Sequence, residues 1–102
     1  MTDPAAFSVH VELEPLRVVV AGELDLVTSE ALSAALAPII SDPSHNVVRF
    51  DFSGVSFMDS SGLAALLQVV EAGREVVLCG AAEPVRRVVE ATGLESVIQV
   101  EP

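Results

Sequence analysis

Alternating apolar and polar side chains at the start of the sequence predict two short strands. Positions 7–13 alternate between apolar and polar or small residues, which is the pattern of a strand with one buried face. After a turn predicted at Glu14-Pro15, the valine-rich segment 16–21 predicts a second strand. Because only a tight turn separates them, we expect the two strands to pair as an antiparallel hairpin.

A helical period replaces the alternation after this hairpin. Apolar residues between Leu32 and Ile39 recur at the spacing of one helix face and predict a helix over 28–41, with Thr28 as its N-cap. Pro38 lies inside this segment and lacks the N–H that an interior helical residue donates. We therefore expect Pro38 to bend the helix or to end it early.

Strands and helices alternate over the rest of the chain. The further elements predicted are a strand at 47–52, a helix at 60–72, a strand at 75–79, a helix from 83 to Gly93 and a strand at 96–100. The order β-β-α-β-α-β-α-β predicts an α/β fold over residues 1–102 as a single domain. We expect a small mixed sheet in which an N-terminal hairpin precedes parallel strands, with the helices packed mainly on one face.

Composition restricts the location and the partners of the protein. Hydrophobic residues make up 51% of the 102, but no apolar run approaches the ~20 residues that span a bilayer. The acidic N-terminus does not resemble a signal peptide, so we expect a cytoplasmic protein. A formal charge of −10 disfavours nucleic acids and anionic membranes as partners and favours a basic protein surface. We expect the one cysteine, Cys79, to be a buried, inert thiol.

The segment 51–63 carries the candidate chemistry. It leaves a predicted strand and enters the predicted second helix through Asp59, Ser60 and Ser61, with Ser60 expected at the N-cap. A helix start exposes unpaired N–H groups and favours negative charge, so it could hold a phosphate on Ser60. Helix capping alone would also explain these side chains. Three cap-forming residues in a row exceed what one cap needs. Gly62 is an unfavourable residue for the first turn of a helix unless something must approach the backbone closely.

The segment from Phe57 to Leu63 resembles the phosphorylation motif of the bacterial STAS-domain anti-anti-sigma factors, also called anti-sigma factor antagonists. Gly22-Glu23-Leu24-Asp25 is similar to a second signature of that family, and 84–94 is similar to its third-helix region. The resemblance implies the STAS-like fold, with Ser60 as the phosphoacceptor. We expect the partner surface to include Asp25, Asp59, Ser61 and Gly62, which belong to these motifs. Ala64, Ala65 and Gln68 are predicted on the exposed face of the second helix, where Ala64 and Gln68 would let a partner approach or would be ordinary surface.

Partner switching is the function that this resemblance implies. The unphosphorylated protein would bind an anti-sigma factor that is also a serine kinase with a histidine-kinase-like ATPase fold, and so release a sigma factor. The kinase would phosphorylate Ser60 and dissociate, and a metal-dependent serine phosphatase would reset the cycle. The protein would then be a monomeric binding module and kinase substrate without a cofactor, not an enzyme.

Other functions are compatible with parts of the sequence. STAS domains also serve lipid-transport ABC complexes by binding and regulating their ATPase, and are found in sulfate transporters, and nucleotide binding has been suggested for them. A catalytic serine is disfavoured because Ser60 lacks the Gly-x-Ser-x-Gly pattern and because His10 and His45 fall on an edge strand and a loop. Asp25 has two open readings, as a recognition residue near Ser60 or as a simple cap or turn residue.

Overall fold

A computed structural model describes residues 7–13 and 15–101. Glu14, the first half of the predicted turn, lies outside the described residues. The elements are β1 (Ser8–Leu13), β2 (Leu16–Leu24), α1 (Leu26–Ser41), β3 (Val47–Met58), α2 (Ser60–Glu71), β4 (Glu75–Cys79), α3 (Glu83–Ala91) and β5 (Ile98–Glu101).

The five strands lie in the sheet in the same order as in the sequence. β1 pairs with β2 antiparallel, and β2, β3, β4 and β5 pair parallel to one another. Right-handed crossovers that always step in one direction put every connecting helix on the same face, and α2 accordingly contacts both α1 and α3. The predicted mixed sheet, its N-terminal hairpin and the one-sided helix layer are confirmed.

The core lies between this sheet and the helices. Val18, Phe50, Phe52 and Leu78 are fully buried there, and the rings of Phe50 and Phe52 meet edge to face at 6.0 Å. Burying a side chain of this size contributes about 1.5–3 kcal/mol, so the helix layer is held mainly by apolar burial.

The opposite face of the sheet is not covered by α1, α2 or α3. Arg17 of β2 pairs there with Asp51 of β3, and Arg49 of β3 pairs with Glu101 of β5 at 3.0 Å. Charged residues therefore alternate along β3 with the apolar residues of the core, as expected for a central strand with one solvated face.

Cys79 also lies on this uncovered face, and the expectation of a buried thiol is wrong. The residue is only partly buried, and its Sγ lies 3.7 Å from Glu101 Oε1 and 4.0 Å from an Arg49 guanidinium nitrogen. Because Leu78 points into the core, the pleat of β4 turns the next side chain to the other face.

β2 and β3 are longer than predicted, by three and six residues. The segment after Phe52 looks like a loop in the sequence, but it continues as a strand beside the last residues of β2. Gly54 permits this, since a Cβ at its position would lie 2.9 Å from the Cβ of Ala21. The extension carries β3 to Met58, which pairs with Leu24 at the end of β2.

α1 begins at Leu26, two residues earlier than predicted, and Asp25 rather than Thr28 is its N-cap. Of the two effects expected of Pro38, the early end is wrong, because α1 continues to Ser41, which is the predicted last residue of the helix. Pro38 lies on the exposed face, while the buried Leu36 and Ile39 hold this part of the helix on the core.

The C-terminal elements differ from the prediction in detail. α3 ends at Ala91, two residues before the predicted end at Gly93, and Pro84 is its second residue. Gly93 adopts a left-handed conformation with φ of 73°, as a glycine after a helix often does. Residues 94–96 then form a single 3-10 turn, which delays the start of β5 to Ile98.

Candidate functional site

The site predicted from the sequence lies at the edge of the sheet where β2 and β3 end. The backbone N–H of Asp59 donates to the carbonyl oxygen of Leu24 at 3.1 Å, which joins the two strand ends. Asp25 follows Leu24 and Asp59 follows Met58, so the two aspartates begin neighbouring helices at the same edge. The starts of α1 and α2, with their partial positive charges, therefore lie side by side.

Asp25 forms a complete capping box at the start of α1. Its Oδ1 accepts from the N–H groups of Val27 at 3.1 Å and Thr28 at 3.0 Å, and the Thr28 hydroxyl accepts from the Asp25 N–H at 2.8 Å. The hydrogen bonds from the Thr28 N–H and hydroxyl hold the pKa of Asp25 below its ordinary value. The side chain is an ionised cap, which is one of the two readings left open by the sequence.

The N-cap of α2 is Asp59, so the prediction that Ser60 occupies this position is wrong. Asp59 Oδ1 accepts from the Ser61 N–H at 2.8 Å, and Ser60 is the first helical residue. Asp59, Ser60 and Ser61 are all capable of capping α2, and the N-cap preferences of Asp and Ser are too similar to decide between them.

Ser60 therefore does not cap α2. The residue is exposed, and its hydroxyl makes no hydrogen bond to the described part of the chain. It stands in the first turn of α2, where backbone N–H groups lack helical acceptors. The geometry is that of an accessible hydroxyl at the positive end of a helix.

Gly62 faces the interior instead of the surface. A Cβ there would lie 2.7 Å from side-chain carbons of both Leu24 and Met58. The glycine therefore lets the first turn of α2 pack tightly against the ends of β2 and β3. Internal packing explains it without a partner that approaches the backbone, which was the reason considered from the sequence.

The other residues assigned to the partner surface lie along one side of α2. Ala64 and Gln68 are exposed, and Ser61 is half-buried. Ala65, which the sequence suggested was exposed with them, is buried with 2% of its surface accessible. Ala65 belongs to the buried face of α2 together with Gly62, Leu63, Leu66 and Val69.

A groove between α1 and α2 extends the surface beyond the predicted residues. Its volume is about 410 Å³, and it is lined by Leu26, Ser29, Glu30, Ser33, Ser61, Ala64, Ala65 and Gln68. We call it the α1–α2 groove. The four residues from α1 were not predicted, although their spacing places them on a single face of a helix.

Large apolar side chains are exposed around the same helix starts. Leu26 and Val27 are 67% and 75% exposed at the beginning of α1, and Phe57 is 46% exposed near the end of β3. Single exposed apolar residues are common, but three around one accessible serine are suited to burial by a partner.

Within residues 7–13 and 15–101, no three histidine, cysteine or acidic side chains gather closely enough to hold a metal ion. None of the helices in that part of the chain is both long and apolar enough to cross a bilayer.

Comparison with known proteins identifies relatives over most of the chain. The model of the STAS domain family matches residues 7–102. The anti-sigma-B factor antagonist of Listeria monocytogenes is 31% identical, over 87% of this chain and 81% of that protein. The crystal structure of an anti-sigma factor antagonist from Mycobacterium paratuberculosis superposes with a TM-score of 0.84 at 28% identity, covering 100% of this chain and 91% of that one. The structure of the anti-sigma factor antagonist SpoIIAA in its unphosphorylated form superposes with a TM-score of 0.74 at 25% identity, covering 95% of this chain and 89% of that one.

Proposed function

The chain belongs to the STAS-domain family of anti-sigma factor antagonists, and we propose that it binds an anti-sigma factor and is switched off by phosphorylation of Ser60. The unphosphorylated form binds a serine kinase with a histidine-kinase-like ATPase fold, and a sigma factor is released. The kinase then modifies Ser60, and a metal-dependent serine phosphatase restores the free hydroxyl. The protein acts as a monomeric binding module in the cytoplasm.

The observation that carries this proposal is the free, exposed hydroxyl of Ser60 beside two capped helix starts. Since Asp59 caps α2, phosphorylation of Ser60 costs the helix no cap. The reported relatives at 25% identity or more are described as anti-sigma factor antagonists, which favours this function over a transporter subunit.

The fold accepts a phosphate at this position. A phosphoserine carries about −1.5 to −2 charges, and the unpaired N–H groups in the first turn of α2 are donors for it. The helix dipole favours an anion there by about 0.3–1 kcal/mol. The nearby carboxylates of Asp59 and Asp25 oppose this gain, and both are occupied as caps. We therefore expect phosphorylation to leave the domain folded.

The phosphate acts by weakening the contact between the start of α2 and the partner protein. A hydrated dianion on Ser60 prevents close packing of a partner against the start of α2, and it repels any facing carboxylate. A loss of ~3 kcal/mol at the interface weakens binding more than a hundredfold. The switch thus operates by changing a contact surface of a rigid domain.

Phosphate mapping tests the proposal directly. The purified protein is incubated with ATP and each histidine-kinase-like serine kinase of the same genome, and the modified residue is located by mass spectrometry. We expect one phosphate, on Ser60. Ser60→Ala should abolish it, and Ser61→Ala, which changes the adjacent hydroxyl, should retain it.

The variant Ser60→Asp tests the mechanism of the switch. It should unfold within a few degrees of the wild type and bind the kinase at least a hundredfold more weakly. Equal binding by the two proteins would contradict the mechanism. Absence of phosphate with every kinase would instead favour the transporter-subunit alternative, in which the ATPase of a lipid-transport ABC complex is the partner.

A further inference from the structure

The α1–α2 groove lies directly beside the proposed phosphorylation site. Ser61, the neighbour of Ser60 in α2, is one of its lining residues, while Ser60 is not. Any protein that brings an active site to the Ser60 hydroxyl must cover the adjoining surface, which includes the opening of this groove. The occupant of the groove is therefore expected to belong to that same partner.

The lining of the groove has a definite chemical character. Leu26, Ala64 and Ala65 supply apolar walls. Around them stand groups with oxygen acceptors, namely three serine hydroxyls, the Gln68 amide and the Glu30 carboxylate, and the lining contains no basic residue. An aliphatic stem suits the walls, and a cationic end with several N–H donors suits the oxygens.

Ser29 supplies a separate reason to expect a ligand. It is the one polar residue buried in the described part of the chain, at 6% exposure, and its hydroxyl has no hydrogen-bond partner there. A buried hydroxyl without a partner is unfavourable, and native proteins rarely leave one so. Ser29 belongs to the lining of the groove, but its hydroxyl oxygen is shielded from solvent, so a donor in the groove reaches it only when the serine side chain rotates toward the opening.

We propose that the α1–α2 groove receives an arginine side chain of the anti-sigma factor kinase and thereby contributes affinity and partner selection. This inference rests on the proposed function. The methylene stem of the arginine lies against Leu26 and Ala64, and the guanidinium donates to Ser29 and Glu30. Five N–H donors in a planar fork match several acceptors better than a lysine ammonium does. The charge of −10 favours the approach of a basic partner surface.

Charge substitutions on two helices test the proposal with a matched control. Glu30→Arg changes the charge at the groove, and Glu71→Arg makes the same change at the exposed far end of α2. Affinity of the unphosphorylated protein for the kinase is measured by calorimetry. We expect Glu30→Arg to weaken binding by roughly tenfold or more and Glu71→Arg by less than roughly twofold. Added salt should weaken the wild type more than Glu30→Gln.

Ser29→Ala separates binding from folding. Removing an unpartnered buried hydroxyl should leave the thermal midpoint unchanged or raised, whereas a structural role for Ser29 would lower it. Kinase affinity should nevertheless fall by roughly three- to tenfold, because one acceptor of the guanidinium is lost.

The outcomes distinguish this inference from the proposed function. If the wild type binds and is phosphorylated on Ser60 while the Glu30 and Ser29 variants bind equally well, only the groove proposal is contradicted. If the wild type binds no kinase, both fail. Self-association that Glu30→Arg abolishes, with kinase affinity unchanged, would assign the groove to a second copy of the chain and overturn the proposal.

Discussion

Asp25 and Asp59 each cap a helix, Asp25 by accepting from two backbone N–H groups and Asp59 from one, and this leaves the serine after Asp59 available for modification. At the scale of single residues, the sequence located this cluster but did not predict which of its residues cap the helices. Asp59, Ser60 and Ser61 are all of residue types that cap helices well. Which of them is the N-cap depends on the residue at which α2 begins, and that residue is Ser60. Nothing in the sequence pointed to Ser29, because the burial of its hydroxyl without a hydrogen-bond partner is a property of the packed structure.

The variant Asp25→Asn separates the capping role of Asp25 from a recognition role. The lowered pKa of Asp25 means that its ionised form stabilises the fold above the ordinary value of 3.8 and that this contribution is lost as the pH falls through the lower, folded-state pKa. Asparagine still caps but carries no charge. From about pH 5 to about pH 2, we expect the stability of the wild type to fall more than that of the variant in urea unfolding.

Phosphorylation kinetics of the same variant give the second readout. Because Asp25→Asn retains the cap, a slower modification of Ser60 would assign the charge to partner recognition, which is the outcome we expect. Asp42→Asn is the control, since Asp42 is also held ionised, by bonds from Ser44, but lies at the other end of α1. A normal rate for Asp25→Asn would restrict Asp25 to its structural role.

At the scale of elements, the sequence predicted the number, type and order of helices and strands and placed several boundaries too conservatively. The extension of β3 past Phe52 depends on a tight contact between Gly54 and Ala21, two residues that are far apart in sequence. The continuation of α1 beyond Pro38 depends on the burial of Ile39. Tertiary contacts thus override local preference in both places.

Pro38→Ala tests how far the proline inside α1 lowers the stability of the protein. Alanine restores an N–H for the carbonyl of Ala34, so we expect the free energy of unfolding to rise by about 1–2 kcal/mol. Pro84→Ala is the matched control, because in the first turn of α3 that N–H has no helical acceptor to serve. The control should change stability by less than about 0.5 kcal/mol, and equal effects of the two substitutions would contradict the explanation.

At the scale of the whole molecule, the one-sided architecture follows from the pattern of the sequence. Strands that alternate with helices, and charges that alternate with apolar residues along β3, together predict one covered and one solvated sheet face. The groove could not be predicted, because its shape depends on how closely α1 and α2 approach. Arg74 connects the C-terminal ends of α1 and α2. Its guanidinium donates to the carbonyl oxygens of Ile40 at 3.0 Å and Asp42 at 3.1 Å, and also to that of Ala72.

Arg74→Lys tests this connection between the ends of α1 and α2. A lysine keeps the charge but cannot reach three carbonyl oxygens with a planar fork, so we expect a loss of about 1–3 kcal/mol in urea unfolding. Arg86→Lys, at an exposed position on α3, is the control and should change stability by less than about 0.5 kcal/mol. A loss of equal size at both positions would show that Arg74 has no special role.

The order of strands in the sheet has a consequence for how the chain assembles. Each strand pairs with the strand that precedes it in sequence, so no pairing has to wait for a more distant strand, although each of the three parallel pairings encloses a helix. During synthesis, the sheet can grow one strand at a time from the N-terminal hairpin. The two helix starts that flank Ser60 precede β5 in the chain, so every residue of the surface proposed for recognition is synthesised before that edge strand.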